Sequence, residues 1–426
     1  MEHGAMMQHA WRFLVIVILL GLLGLMVGLP GQTAAEPSDP GGLGDPSETV
    51  ETVFEEGEAH TISGPYTHGN LAVYLVHAEQ RDDRDFITLN EGLKTGEVIV
   101  SEKDSAEVRQ LMIENRSDKP LYLQEGDRLV GGKQDRTVRS SIAIAPKSGR
   151  MPIPTFCIER SRWSAGSRGA LFAESGNTGL ALKDVRRAAK LSQSQARVWQ
   201  EVDRIKAESE YSLGTANSNT SLNETLDSKQ VKTLSKEVTD KLGRIANEHD
   251  DAVGVAFAVN GRIEEINVYP GNTLFDKVYP RLLESYAVEA ALQKPDAEQE
   301  DVEADPRPSK EPPTTEAVKA FMSAKPGDRI RRDRINAYND LDVYWAEGRA
   351  TCVTKYEGSA LHRQWLRSDK PTRHHRDELR NRIQQRLNAD PEGFNIGNFD
   401  PAPRQRGRES ENPAAENPTD RPTPDE

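Results

Sequence analysis

The sequence has few cysteines, few apolar residues and fewer basic than acidic residues, and each shortage excludes a class of protein. Two cysteines among 426 residues exclude a disulfide-dense scaffold and a zinc site made only of cysteines. Apolar residues make up 36% of the chain and charged residues 29%, so we expect folded and disordered parts together. Acidic residues outnumber basic ones by 68 to 55, which argues against nucleic-acid binding because that function needs a basic surface.

Several catalytic and binding motifs are also absent. The chain has no P-loop, no G-x-G-x-x-G and no G-x-S-x-G sequence. His60, His68 and His77 are eight and nine residues apart, which is not the spacing of metal ligands. The paired acids at 83–85 and 340–342 are typical of solvated turns. The sequence therefore predicts neither a metal site nor a cofactor.

The first 35 residues have the pattern of an export signal. Arg12 precedes an uncharged apolar run of 17 residues at positions 13–29, and Pro30 and Gly31 follow. Small residues then precede Glu36, as at a cleavage site. The alternative is an uncleaved anchor formed by residues 13–29, because this length is the lower limit of a membrane span. Both interpretations predict that the rest of the chain is periplasmic or extracellular.

Changes of composition divide the remaining chain. The predicted parts are a flexible linker at 36–64, an α+β domain at 65–293, an acidic proline-rich linker at 294–315, a small helix and hairpin unit at 316–370 that docks on the main domain, and a basic then Pro/Asn-rich disordered tail at 371–426. The stretch 363–386 has eight basic residues against three acids. It predicts either contact with an anionic membrane surface or a solvated helix face.

Hydrophobic periodicity predicts the α+β class. Short β-branched segments between residues 71 and 158 predict an antiparallel β-rich N-terminal unit. Helical spacing follows, with an apolar stripe from Val231 to Ile245. Asn260-Gly261 lies between two strand-like runs and predicts a hairpin, and residues 275–292 return to a helix. We therefore expect a helix–hairpin–helix unit next, and then a small C-terminal helix plus hairpin.

The first chemical cluster lies around the double glycine Gly131-Gly132. Two glycines allow positive φ or close approach of another group to the backbone. Lys133, Gln134 and Arg136 offer donors suited to phosphate or carboxylate, and Asp135 can bind a sugar hydroxyl or the arginine. The alternative is a tight strand–turn–strand with a structural Asp–Arg pair.

The second cluster lies around Cys157. Alternation along a strand places Cys157 and Glu159 on one face. With Arg162 nearby, the thiol is a candidate nucleophile and Glu159 a candidate base. The alternative is a buried apolar cysteine beside a Glu159–Arg162 pair that Trp163 covers. The sequence does not decide whether Cys157 and Cys352 form a disulfide, because that depends on their geometry.

These clusters carry a resemblance to a known family. Its residues are Gly126-Asp127, Gly131-Gly132-Lys133-Gln134-Asp135-Arg136, Ile153-Pro154, Cys157-Ile158-Glu159 and Arg162-Trp163, with a second block at Phe275–Ala287. Residues 65–295 thereby resemble the domain named for association with ADP-ribosylglycohydrolase and rhodanese-phosphatase superfamily proteins, the ARPP domain. The resemblance carries over no established activity. Its name implies, by neighbourhood, a link to NAD or ADP-ribose metabolism.

Two functional hypotheses follow. The first is an exported binding or interaction module for an anionic or sugar-phosphate ligand, such as ADP-ribose. Its predicted ligand-binding residues are Lys133, Gln134, Asp135, Arg136, Glu159, Arg162 and Trp163. The second is a hydrolase acting on an ADP-ribose-like or phosphoester substrate through Cys157 or Glu159. Both hypotheses require that the double-glycine bend and the cysteine strand share one cleft.

Overall fold

The computed structural model describes most of the chain between residues 60 and 368. The described ranges are 60–78, 84–103, 107–160, 171–174, 179–215, 221–293 and 311–368. They all belong to a single compact unit. The predicted export signal, most of the two linkers and the tail lie outside these ranges. No helix within them combines the length and the apolar character needed to cross a bilayer.

The described strands form three sheets. They are β1 (His60–His68), β2 (Leu71–Ala78), β3 (Ile87–Thr88), β4 (Val98–Ser101), β5 (Gln110–Asn115), β6 (Leu121–Leu123), β7 (Arg128–Gly131), β8 (Arg136–Val138), β9 (Ile142–Ile144), β10 (Met151–Cys157), β11 (Phe172–Glu174), β12 (Ala252–Val259), β13 (Arg262–Val268), β14 (Asp328–Arg334), β15 (Asn339–Ala346), β16 (Arg349–Tyr356) and β17 (Ser359–Arg367). Their orders are β1-β2-β12-β13-β17-β16-β15-β14, β11-β7-β8-β10-β5-β4 and β3-β6-β9. All recorded pairs are antiparallel except β3 with β6.

The described helices begin at polar caps in most cases. They are α1 (Leu89–Thr95), α2 (Lys183–Arg187), α3 (Gln195–Leu213), α4 (Leu222–Leu226), α5 (Lys229–Leu242), α6 (Asn272–Leu292) and α7 (Thr315–Ser323), and a π-helical turn, Ala188–Ser192, continues α2. Side-chain oxygens of Ser194, Ser221 and Ser228 accept backbone N–H groups at the starts of α3, α4 and α5. Such caps stabilise a helix start because its first N–H groups have no partner within the helix.

The predicted helix–hairpin–helix unit lies at the centre of the fold. Asn260 and Gly261 have φ of 51° and 71°, and they join β12 to β13 as the sequence predicts. Helix α6 packs against β12, where the rings of Phe257 and Tyr286 stack with centroids 4.1 Å apart. Both rings are fully buried in the largest apolar cluster. The α+β class is therefore confirmed.

The C-terminal part contains the predicted helix and hairpin, as α7 and the pair β15–β16, together with two further strands. Helix α7 is followed by four strands, β14 to β17, and β17 pairs with β13 from Glu265↔Leu366 to Val268↔Arg363. Residues 328–367 thus extend the main sheet. Strand β14 (DRIRRDR) could not be predicted from hydrophobic periodicity because its side chains are mostly charged. At the other end, β1 begins at His60, inside the predicted linker 36–64.

Candidate functional site

The double-glycine bend lies at the end of β7, and Leu171 and Phe172 pack directly against it. Gly131 has φ +135°, and a Cβ there would lie 2.5 Å from the carbonyl oxygen of Leu171. A Cβ on Gly132, whose φ is +52°, would lie 2.3 Å from the ring of Phe172. The two glycines therefore allow β11 to approach the bend.

Asp135 holds the bend to the start of α4. Its Oδ1 accepts the N–H of Gly131 at 3.1 Å, and its Oδ2 accepts from Ser221 Oγ at 2.9 Å and from Asn223 Nδ2 at 3.0 Å. The backbone N–H of Asp135 donates to Glu159 Oε2 at 2.9 Å. Both carboxylates are buried, so their acceptors serve internal hydrogen bonds.

Arg136 is fully buried, and its guanidinium points into the protein. Its Nη1 donates to the carbonyl oxygen of Gln134 at 2.7 Å, and its Nη2 lies 3.8 Å from Glu102 Oε1. The same oxygen accepts the backbone N–H of Lys133 at 2.8 Å. Gln134 is also buried, and its Nε2 donates to the carbonyl of Arg160 at 3.3 Å. Glu102, which the sequence did not single out, thus balances the charge of Arg136.

Cys157 lies on β10 directly opposite Arg136 on β8. Its backbone is held by Gln195, which accepts the N–H of Cys157 at 2.9 Å and donates to its carbonyl at 2.8 Å. Burial raises the pKa of the thiol to about 11, although the charge of Arg136 acts in the opposite direction. The thiol is therefore protonated at neutral pH. Cys157 and Cys352 are both free, so no disulfide joins them.

The two predicted clusters thus meet as neighbouring strands but do not present their side chains to solvent. Gln134, Asp135, Arg136 and Glu159 are buried among protein partners, and Lys133 is half-buried. Within the described residues, the burial of Cys157 agrees with the alternative of a buried apolar cysteine. Arg162 and Trp163 lie outside the described residues, so their assignment stays a prediction.

A buried charged network, far larger than either cluster, lies beside the turn at Gly126. Arg186 binds Glu265 through two hydrogen bonds of 2.8 and 2.7 Å. Lys190 Nζ donates to Glu125 Oε2 and to Gln364 Oε1. Gln364 Nε2 lies 2.7 Å from Glu125 and 2.6 Å from Glu265, which connects the two ion pairs. All five side chains are buried, so this network joins β13, β17 and the π-helical turn.

The same network continues through neutral groups. His362 Nε2 lies 2.9 Å from Asn267 Oδ1, and its Nδ1 lies 2.9 Å from Ser141 Oγ. Its ring stacks on Tyr269 with centroids 4.8 Å apart. Burial, assisted by the charge of Lys190, lowers the pKa of His362 to about 3. His362 is therefore neutral at physiological pH and serves as a hydrogen-bonding group in the core.

An open cleft of about 200 Å³ lies on another part of the surface, between α2, α3, α6 and the ends of β13 and β17. Its inner part holds Lys183, whose Nζ binds Glu264 and whose backbone N–H donates to Glu289 Oε1 at 2.5 Å. All three residues are buried. Burial raises the pKa of Glu289, and the charge of Lys183 opposes that effect. The inner part therefore offers two carboxyl groups beside one ammonium.

Four arginines surround this cleft, namely Arg187, Arg204, Arg262 and Arg367. Arg187 donates to Asp184 Oδ1 at 3.2 Å and to Ser368 Oγ at 3.0 Å. Arg367 Nε donates to the carbonyl of Ile263 at 2.6 Å, which fixes its guanidinium at the end of β17. Arg262, on β13, is exposed. Arg204 already donates to Glu201, Glu208 and Asp184. A guanidinium carries five N–H donors in a planar fork, so Arg187, Arg262 and Arg367 can add an anionic ligand to their present partners.

Sequence reasoning missed both the network and the cleft. Their residues are separated by long stretches of chain; Gln364 and Glu125, for example, are 239 positions apart. One local signal was Glu264-Glu265 between the apolar residues Ile263 and Ile266 of β13, since acids inside a buried strand require partners. It predicts buried pairing without naming the partners.

Comparison with known proteins identifies the family. Residues 59–364 match the ARG and Rhodanese-Phosphatase-superfamily-associated Protein domain, ARPP-1. This range includes both chemical clusters, the buried network, nearly all of the main sheet and all of the cleft except Arg367. No curated protein and no solved structure matches the chain. Because the matched range covers more than half of the sequence and agrees with the residues that carried the resemblance, the chain belongs to the ARPP-1 family.

Proposed function

We propose that this protein is an exported binding module for a small sugar-phosphate ligand, which it binds in the charged cleft around Lys183. One observation carries the proposal: buried carboxyl groups and a set of guanidinium groups converge on one open cleft. The double-glycine bend is a weaker place for the ligand because the guanidinium of Arg136 is fully buried, whereas Arg262 at the cleft is exposed.

The chemistry of the cleft fits the two ends of a sugar phosphate. Glu264 and Glu289 already accept from Lys183, and each carboxylate has further lone pairs that can accept from a sugar hydroxyl. Arg187, Arg262 and Arg367 provide planar donors, which match the oxygens of a phosphate. The family is named for its association with ADP-ribosylglycohydrolases, which supports a ribose phosphate as the first compound to test. Export is supported by the apolar run at 13–29 after Arg12.

Calorimetric titration of the intact protein with ribose 5-phosphate, ADP-ribose and inorganic phosphate tests the proposal. We expect ribose 5-phosphate to bind, and Arg262→Ala to weaken it about tenfold or more because one charged hydrogen bond to phosphate is lost. Arg197→Ala is the matched control, since Arg197 is exposed on α3 and does not line the cleft. Absence of binding by all three compounds, or equal effects of the two variants, would contradict the proposal.

The hydrolase alternative, with Cys157 as nucleophile or Glu159 as base, gains no support from the described residues. The thiol is buried and protonated, and Glu159 accepts the backbone N–H of Asp135. We expect the native protein to react with an aromatic disulfide reagent at neither Cys157 nor Cys352, because both are buried. Both thiols should react after unfolding. Rapid reaction of Cys157 in the native state would restore the nucleophile hypothesis.

A further inference from the structure

Two histidines and an aspartate lie close together at one end of two inner strands of the main sheet, and none of them belongs to the cleft or the network. His77 is on β2, and His249 and Asp251 are in the loop between α5 and β12. β2 and β12 are adjacent in the sheet, and Ala252 pairs with His77. As a result, one potential ligand atom from each of the three residues lies within 4.8 Å of the other two.

Hydrogen bonds orient both imidazole rings. Asp251 Oδ1 lies 2.9 Å from His77 Nδ1, and Ser63 Oγ lies 2.7 Å from His77 Nε2. Tyr66 OH lies 3.1 Å from His249 Nε2 and 3.4 Å from Ser63 Oγ. The centroids of the two imidazole rings are 5.3 Å apart. The cluster therefore has three ligands together with two hydroxyl groups that can hold them in position.

The loop that carries His249 and Asp251 is fixed at its base. The N–H of Ala252 donates to the carbonyl of His249 at 2.9 Å, which closes a tight turn. Asn272 Nδ2 donates to the carbonyl of Ala252 at 3.0 Å and lies 3.4 Å from that of His249. Asn272 also lies 3.4 Å from Asp276, a further acid beside the loop. The backbone positions of the two loop ligands are thus set before any ion arrives.

The three residues range from a buried histidine to an exposed aspartate, as in a metal site with one side open to solvent. The side chain of His77 is 9% exposed and that of Asp251 is 54% exposed. His249 is intermediate. An ion held by these three residues would have protein on one side and solvent on the other, so that water can occupy a fourth position.

We propose that His77, His249 and Asp251 bind a divalent transition-metal ion of the zinc class. Two imidazole nitrogens and one carboxylate oxygen are a ligand set that zinc uses in sites with an open position. The ion binds His77 Nδ1 in the position that a proton shared with Asp251 would occupy, and the neutral ring then carries its single proton on Nε2. Ser63 Oγ accepts that N–H, the outer-shell hydrogen bond that metal-binding histidines commonly make.

Only small side-chain movements are needed. Ligand atoms about 2.0–2.1 Å from a tetrahedral zinc lie roughly 3.3 Å from one another. The pair between His77 and Asp251 is already near that separation at 2.9 Å. Rotation of the half-buried His249 and the exposed Asp251 completes the site, while the buried His77 stays in place.

Titration of the intact, untagged, chelator-treated protein with Zn²⁺ tests this proposal. We expect one strong site, and visible absorption bands of tetrahedral Co²⁺ when cobalt replaces zinc. His249→Ala and Asp251→Asn change partly exposed residues and should each lower zinc affinity about 100-fold, and Ser63→Ala about tenfold. His68→Ala, a histidine on β1 outside the cluster, is the matched control. His374→Ala combined with His375→Ala tests the other histidine pair of the sequence.

Three results would overturn the proposal. The first is the absence of a strong zinc site in a protein whose cooperative unfolding shows that it is folded. The second is full zinc affinity in both His249→Ala and Asp251→Asn. The third is loss of the site in the variant that lacks His374 and His375. Labelling of Ser63 by a fluorophosphonate, without zinc uptake, would instead assign the order Ser63–His77–Asp251 to a serine hydrolase.

Discussion

Glu265 is an ionised carboxylate in the interior, and its charge depends on one arginine. Removing only one partner of a buried pair leaves the other charge without compensation. We therefore expect Glu265→Gln to destabilise the protein by about 3–5 kcal/mol, because Arg186 stays buried with Glu125 4.0 Å away. Denaturant unfolding measures this change. Glu237→Gln, at an exposed position of α5, should change stability by no more than about 0.5 kcal/mol. Equal effects would mean that the Arg186 pair contributes nothing.

The pH dependence of the same variant follows from the pKa of Glu265. Burial would raise this pKa, but the ion pair with Arg186 outweighs burial and lowers the pKa to about 2 from 4.5. A lowered folded-state pKa adds stability above the unfolded-state pKa, and that stability is lost as pH falls towards the folded-state value. The stability difference between wild type and Glu265→Gln should therefore shrink by about 2 kcal/mol from about pH 5 to about pH 3. Unfolding curves at both pH values measure it, and a constant difference would contradict the assigned ion pair.

At the residue scale the sequence predicted the backbone conformation of the double-glycine bend, but it did not predict whether the side chains beside it bind a ligand or the protein itself. Gly131-Gly132 do have positive φ, and Asp135 and Arg136 are held by internal partners. What spacing could not show is the direction in which these side chains point, because that depends on strands that pair across long stretches of chain. Arg136 has its guanidinium inside the protein because Glu102 lies there. The cluster of His77, His249 and Asp251 could not be predicted from the sequence for the same reason, since His77 and Asp251 are 174 residues apart.

At the scale of elements, the bend between β7 and β8 offers a direct test of why its glycines are present. We expect Gly131→Ala to destabilise the protein by about 3 kcal/mol. The new Cβ requires φ +135° and would meet the carbonyl oxygen of Leu171 at 2.5 Å, so β11 would have to separate from β7. Thermal unfolding measures the loss. Gly149→Ala is the control, because its φ is not positive and nothing lies within 4 Å of its added Cβ. A neutral Gly131→Ala would show that the approach of β11 is not what selects glycine.

Elements with a clear apolar period were predictable, and elements made of charged residues were not. The stripe from Val231 to Leu242 became α5, and Asn260-Gly261 became the hairpin turn. Strand β14 carries four arginines and two aspartates and shows no such period. It forms because β15 offers a free edge next to it, where Arg332 binds Asp342 at 2.7 Å. Sequence periodicity reports burial, so an edge strand with exposed charges gives little signal.

At the scale of the whole molecule, one sheet joins the part of the chain before residue 294 to the part after residue 310. Strand β17 of the later part pairs with β13 of the earlier part. Gln364 contacts Glu265, His362 contacts Asn267, and Trp365 is buried. A chain that ended near residue 293 would expose the edge of β13 and leave Lys190 without Gln364. The composition at 294–315 predicts a linker and a docked unit, and what it could not predict is that this unit joins the main sheet through strand pairing and buried charges.

Cutting the chain between these two parts tests whether strand pairing and buried charges hold them together. We expect a protein with an inserted protease site between residues 294 and 310 to remain one particle after cleavage. The fragments should elute together in gel filtration and separate in denaturant, because separation would expose Trp365 and break the ion-pair network. Trp365→Ala should weaken the association, since removal of a buried tryptophan costs about 3–5 kcal/mol. The matched comparison is the exposed Tyr338→Ala. Fragments that part in native buffer, each still folded, would show that residues 311–368 are an independent unit after all.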